Sequence, residues 1–359
     1  MNKKVAIIGT VGIPAKYGGF ETLIEYITKE LHSKFDFTVY CSAKAYPEQK
    51  ETHNNCKLEY INLEANGMQS VIYDTKSIFH ALKYADVLLI LGVSGCLILP
   101  FIKLISKNKI IVNIDGLEWK RQKWNKYAKA FLKFSEKCAV NYADITIADN
   151  KVIKDHVYDT YGKEARLIAY GGNHTESESI SDQTLLEYPF LKSNYAFKVC
   201  RIEPENNIEI ILKAFSTCPE LTLVIVGNWD NSTFGKTLRD TYRKFQNLHL
   251  LDPIYNQKIL NELRSNCYLY VHGHSAGGTN PSLVEAMSLG LPIVAYGIHY
   301  NRETTQNKAL YFKTSEELAA LLKQIDTVDL DKLAQEMQHV ANQEYTWEKI
   351  ADAYQKLMQ

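Results

Sequence analysis

Short apolar runs alternate with longer amphipathic segments along almost the whole chain, and this alternation constrains the fold most. In the first half the runs are Val5–Gly9, Phe37–Cys41, Leu58–Leu63, Val87–Leu91, Ile110–Ile114, Ile145–Ala148 and Leu167–Tyr170. Helical patterns lie between several of them, at Phe20–Ser33, Thr75–Lys83, Trp124–Tyr142 and Lys151–Tyr158. A strand that is apolar at every position must be buried on both faces. Strands of that kind, separated by helices, predict a parallel sheet covered by helices on each side. Gly171–Tyr195 interrupts the pattern with Gly, Ser, Glu and Asn and reads as a linker. Alternation then resumes through strands Phe197–Arg201, Leu221–Val226, Leu248–Leu251, Tyr268–His272 and Pro292–Ala295. Helices are expected at Ile208–Phe215, Gln257–Arg264 and Pro281–Leu289, with a mostly helical tail from Ser315. At 359 residues the chain exceeds the size, about 250–300 residues, at which one core stops growing. The expectation is two α/β domains, 1–170 and 196–345, joined by residues 171–195.

In such folds ligands bind beyond the carboxyl ends of the strands, and with two domains the site is expected in the cleft between them. Four segments lie just after an expected strand. In the first, running from His272 to Gly290 (HGHSAGGTNPSLVEAMSLG), Asn280 is an N-cap and Pro281 a first helical residue. Gly277, Gly278, Thr279 and Asn280 lead free N–H groups to a helix N-terminus, which suits a phosphate, and Glu285 can accept hydrogen bonds from sugar hydroxyls. A plain strand-turn-helix junction with Glu285 in solvent accounts for the same residues. In the second, GTVGIPAKYGGFE, Gly18 and Gly19 sit where a helix begins, giving another anion site or simply a flexible loop. Third is Arg201 in RIEPENN, placed to pair with a diphosphate or, alternatively, balanced at the surface by Glu203 or Glu205. Fourth is NIDGLEW, in which Asp115 is either a sugar-binding carboxylate or general base, or a turn residue before Gly116. Two glycine loops and an arginine describe a diphosphate-bearing ligand, and the carboxylates beside them suggest a sugar.

Composition excludes some classes. Lys plus Arg and Asp plus Glu both number 41, so net charge gives no support for nucleic-acid binding. No apolar run reaches the roughly 18 residues needed to span a bilayer. The start, MNKKVAIIG, lacks a cleavage site and reads as a first strand. Seven cysteines without CxxC spacing suggest core residues rather than a zinc site or disulfides. A cytoplasmic protein is expected.

On GTVGIPAKYGGFET, NIDGLEWKRQKW, VCRIEPENN and GGTNPSLVEAMSLGLPIVA, the whole chain resembles a GT-B retaining glycosyltransferase of family four, in the bacterial rhamnosyltransferase subgroup. The resemblance implies two Rossmann-like domains facing across a cleft. It also implies a C-terminal helix, 346–359, packing back toward the N-terminal domain. It implies L-rhamnose transfer from dTDP-rhamnose to a lipid-linked saccharide in capsule or other surface polysaccharide synthesis. The nucleotide sugar is a substrate, with no cofactor and no metal; carboxylates paired in a DxD-like way at a strand end are absent from the sequence.

The roles it implies follow position. Gly18 and Gly19 lie against the donor diphosphate and Arg201 neutralises it as it leaves. Gly278, Thr279 and Asn280 offer backbone groups, and Glu285 binds the ribose. Asp115 joins Arg201 and Glu285 as catalytic, and Glu118 and Trp119 bind the acceptor. Two of the donor-binding positions it implies depart from the family. Gly277 stands where a sugar-binding glutamate is usual, and Asn206 where a lysine is usual. His274 is a compensating donor or a solvated loop residue. The alternatives are a GT-B protein that binds nucleotide sugar without turnover, a transferase using another NDP-hexose, or a nucleotide-sugar epimerase.

Residues 120–137, KRQKWNKYAKAFLKFSEK, carry seven Lys or Arg and one acid, Glu136. Trp124, Ala128, Phe131, Ser135 and Cys138 recur at helical spacing, predicting one packed face and a basic remainder. Either this is a solvated amphipathic helix or it meets anionic lipid on the inner face of the plasma membrane.

Overall fold

The computed structural model describes every residue except Met1, Tyr17, Gln122 and Lys123. The chain forms two compact units, Met1–Tyr170 with Trp347–Gln359, and Gly171–Thr346.

In the first unit the strands are β1 (Lys3–Ile8), β2 (Phe35–Ser42), β3 (Thr52–His53), β4 (Cys56–Ile61), β5 (Val87–Leu91), β6 (Lys109–Asn113), β7 (Ile145–Ala148) and β8 (Ala165–Leu167). Among the described residues they form one sheet in the order β3-β4-β2-β1-β5-β6-β7-β8. Every pairing is parallel except β3 with β4. The central run VLLIL of β5 is buried at all five positions, as a doubly covered strand requires. The chain winds outward through β2 and β4 and then crosses to β5 on the other side of β1. This makes the β1/β5 boundary a topological switch point, where such sheets bind ligands. Gly9 leaves β1 at φ 93°, and a Cβ there would lie 2.0 Å from the Leu91 carbonyl oxygen, so no other residue fits. The helix Trp347–Met358 returns to this unit. Its Trp347 ring stacks on Tyr26 at 4.7 Å, and the Tyr354 hydroxyl accepts a 2.9 Å hydrogen bond from Asn113 Nδ2 at the end of β6.

The second unit contains β9 (Tyr195–Val199), β10 (Thr222–Val226), β11 (Leu248–Leu251), β12 (Leu269–His272), β13 (Ile293–Tyr296) and β14 (Leu310–Phe312). Their order is β11-β10-β9-β12-β13-β14, and all pairings are parallel. Here the switch point lies between β9 and β12. The helix Ile208–Ser216 packs its Ile208, Ile211, Leu212 and Phe215 into the core beneath β9 and β10.

Residues 171–195, expected as a linker, are instead structured on the second unit. Ser181 caps a helix over Asp182–Glu187, and both its backbone N–H and hydroxyl donate to Glu262 at 3.0 Å. Gly172 lies so close to Val284 that a Cβ would meet its carbonyl oxygen at 2.4 Å. Polar side chains that look like solvent-facing linker residues are used here as caps and anchors.

The basic helix also differs from expectation. It spans Lys126–Tyr142 and buries Leu132, Ser135, Glu136, Cys138, Ala139 and Val140, while Phe131 is exposed rather than packed. Within the basic segment, Gln122 and Lys123 lie outside the described residues. All seven cysteines are buried and free, each a small core residue.

Candidate functional site

Two loops at the β9/β12 switch point of the second unit are tied to each other. After β9 the chain turns through Arg201–Asn207. After β12 it runs through Gly273–Asn280 into the helix Pro281–Ser288. Glu205 contributes its carbonyl oxygen to both the N–H and the hydroxyl of Ser275, at 2.8 and 2.9 Å. Asn207, at φ 49°, donates from Nδ2 to the Gly273 carbonyl at 2.7 Å. A Cβ on Gly273 would sit 2.2 Å from the Asn206 carbonyl, so the close approach of the two loops needs glycine. These bonds tie the turn that begins at Arg201, which is exposed, to the start of the glycine loop.

Asn206, expected to touch a donor, is buried and turned inward. Its Nδ2 donates to the Arg201 carbonyl and so shapes the turn that presents Arg201. In the glycine loop Gly277 has φ 115° with open space around its Cβ position. Thr279 is buried, and Asn280 caps the helix, its Oδ1 accepting from the Ser282 N–H at 3.1 Å. The loop thus delivers backbone N–H groups to a capped, Pro-started helix N-terminus, a favourable place for an anion.

Glu285 is neither in solvent nor free to swing. Its carboxylate is ion-paired to Arg264, which is buried, and its other oxygen lies 3.3 Å from His174 Nε2. Burial alone would raise its pKa. Arg264 and His174 outweigh that and hold the carboxyl below its usual range. Arg264 comes from the helix Gln257–Ser265 and His174 from the segment expected as a linker. Neither was foreseen from sequence, because nothing in their local pattern marks a partner 21 or 111 residues away.

Beneath the loop, His272 is fully buried with no hydrogen-bond partner among the described residues on either ring nitrogen, and its ring stacks on His274 at 4.6 Å. His274 is further held by Asn301, which donates to its carbonyl at 2.8 Å. Burial, and then the Lys198 ammonium, push His272 well below the ordinary imidazole pKa of 6.5. The folded protein keeps this ring neutral while the unfolded chain protonates it near the ordinary value. Stability is therefore fully present above that value and falls as pH drops below it. His272→Phe should flatten the decline of Tm as pH falls through that ordinary value, from roughly 7.5 to roughly 5.5, about one unit either side of it. An unchanged profile would show that His272 does not carry it.

In the first unit Gly18, at φ 134°, precedes Gly19, the first residue of the helix Gly19–Leu31. Glu21 reaches back from that helix: Oε1 accepts from the Thr10 hydroxyl at 3.0 Å and the Val11 N–H at 2.7 Å. Burial raises its pKa despite those bonds. Asp115 stands after β6 at φ 61°, its N–H donating to Asn113 Oδ1 at 3.0 Å. Glu118 and Trp119, expected to bind an acceptor, are engaged within the unit. Glu118 pairs with Arg121 at 2.8 Å and accepts from Trp124 Nε1 at 3.0 Å. Trp119 Nε1 donates to Glu136 at 2.9 Å, and that buried carboxylate also serves His156 and Tyr161. These residues order the loop after Asp115. Among the described residues no group of three or more His, Cys, Asp or Glu is placed to hold a metal ion.

Residues 187–346 match the family described as "Glycosyl transferases group 1". Residues 2–173 match "Domain of unknown function (DUF1972)". An "Uncharacterized glycosyltransferase MJ1069" of Methanocaldococcus jannaschii is 23% identical, covering 95% of each chain. Among solved structures, sucrose-phosphate synthase from Thermosynechococcus elongatus superposes with TM-score 0.81 at 15% identity, covering 99% of this chain and 98% of that one. Anabaena Alr3699/HepE in complex with UDP and glucose gives TM-score 0.77 at 17% identity, covering 99% of each. The fold of the chain is GT-B, two Rossmann-like α/β domains with parallel sheets.

Proposed function

We propose that the protein transfers a sugar from a nucleoside diphosphate to a lipid-linked saccharide, with retention, in surface polysaccharide synthesis, and that the donor is dTDP-L-rhamnose. One observation carries the transferase reading. The Arg201 turn and the capped glycine loop are zipped together at the β9/β12 switch point of a group 1 glycosyl transferase domain. A guanidinium on a turn bonded to the loop that leads into a helix N-terminus is suited to a diphosphate whose charge grows as the glycosidic bond breaks.

In this reading the acceptor oxygen forms its bond to the anomeric carbon as the bond from that carbon to the diphosphate oxygen breaks. The acceptor proton passes to the departing diphosphate. Arg201 and the N–H groups of Gly278, Thr279 and Asn280 stabilise the leaving charge. Glu285, oriented by Arg264 and His174, takes a donor hydroxyl. On the first unit the reading assigns Gly18 and Gly19 to the diphosphate and Asp115 to the acceptor. Glu118 and Trp119 act on the acceptor through the loop they order. No step calls for a metal.

Gly277 in place of a glutamate and the inward-turned Asn206 favour a second reading, a protein that binds nucleotide sugar without transfer. A thermal-shift panel of dTDP-rhamnose, dTDP-glucose, UDP-glucose and GDP-mannose separates donors, because a ligand at 100 times its Kd stabilises the fold by about 2.7 kcal/mol. The expected result is a shift with dTDP-rhamnose, and product with a lipid-diphosphate saccharide acceptor. A shift without product across acceptors supports the second reading, and no shift with any donor removes both.

A further inference from the structure

We propose that the helices Leu99–Ile105 and Lys126–Tyr142 of the first unit form a docking surface for an anionic lipid bilayer. This stands independently of the transfer reading. The first helix buries Leu99 and Ile102 and turns Phe101, Leu104 and Ile105 to solvent, Leu104 at 84% exposure. Their spacing of three and four residues puts them on one face. The second helix, which packs against the first, exposes Tyr127, Phe131 and Phe134 at the same kind of spacing, Tyr127 at 75%. Each helix already has a separate buried face for folding, so the second apolar face is not needed by the core. Six large apolar side chains exposed on two touching helices exceed the scattered singles normal for a protein surface.

Charge selects the occupant. Lys126, Lys133 and Lys137 are exposed on the longer helix, and among the described residues none has a carboxylate within ion-pair reach. Glu136, the only acid on that helix, is buried and taken up by Trp119, His156 and Tyr161. What faces outward is therefore aromatic, aliphatic and basic. That suits a headgroup layer of anionic lipid, with rings at the interface and lysine stems reaching phosphates. A second copy of this chain fits less well, since a two-fold contact would set lysine against lysine. Among the described residues no helix is long and apolar enough to cross a membrane, so the contact lies on the surface.

The test is flotation of the full chain with vesicles of phosphatidylcholine alone and of phosphatidylcholine with phosphatidylglycerol. Flotation is expected only with phosphatidylglycerol. The paired variant Leu104→Glu/Phe134→Glu should lower partitioning by at least about tenfold. Lys126→Glu/Lys137→Glu should lower it in a salt-dependent way and keeps the test open if the first pair fails to fold. Leu186→Glu, equally exposed at 84% but on the second unit, should float as the parent does. Absence of parent flotation, or parental flotation by both paired variants, overturns the proposal. A parent dimer in light scattering that the Leu104/Phe134 variant converts to monomer, with flotation unchanged, would instead make this face a self-interface.

Discussion

Replacing Arg201 by alanine is expected to lower kcat/KM for sugar transfer by about 10²- to 10³-fold, the loss typical when one preorganised donor to a developing anion is removed. The side chain is exposed at the carboxyl end of β9, so little packing goes with it. A surface substitution of this kind changes stability by about 0.5 kcal/mol or less, and Tm should hold. The turn should also survive, because the bonds that shape it come from other residues. Asn206 bonds the backbone carbonyl of residue 201, and Asn207 and Glu205 bond the glycine loop. Arg201→Lys keeps the charge but loses the planar fork, and should recover only part of the rate. Steady-state kinetics with the donor found by thermal shift would measure both. Parental kcat/KM in the alanine variant would remove Arg201 from the site.

What the sequence shows of such a site follows from the range of each signal. Buried central strands are legible because both faces must be apolar; the run Val87–Leu91 needs no partner to be recognised. Asn280, Pro281 and the glycines before them are legible because a helix start is written in adjacent residues. The helix Thr233–Tyr242 is harder to see, since within TFGKTLRDTY only Gly235 and Leu238 are buried. Leu99–Ile105 hides for the opposite reason. Its exposed face is apolar too, so no polar stripe marks the period. Leu310–Phe312 is a three-residue edge strand, too short for alternation to register. The polar side chains are the largest gap. Asn206, Glu118, Trp119 and Glu285 all lie near the switch points or strand ends that their positions suggest. Whether such a group faces a ligand or a neighbour depends on residues distant in sequence, such as Glu136 for Trp119 and Arg264 for Glu285.

That distinction decides how Glu285 should behave. Glu285→Ala leaves the Arg264 guanidinium buried without its counter-charge, which typically costs about 3–5 kcal/mol. For a unit of this size that lowers Tm on the order of 10 °C. Transfer activity will be lost as well, but loss in that variant alone does not separate a donor contact from a collapsed support. Arg264→Met/Glu285→Leu does, because removing both charges and filling the space with apolar atoms restores most of the stability. If Glu285 takes a donor hydroxyl, the double variant should fold near the parental Tm and still transfer sugar far more slowly. Parental activity in a stable double variant would leave Glu285 as a support for the helix and nothing more. Acid offers a further check on the ion pair. A carboxyl held below its usual value contributes stability above about pH 4.5, and that contribution is lost as pH falls through the lowered value. The Tm gap between parent and Glu285→Ala should therefore narrow on acidification below pH 4.5. A gap that stays constant would mean the alanine variant fails through lost packing rather than lost charge.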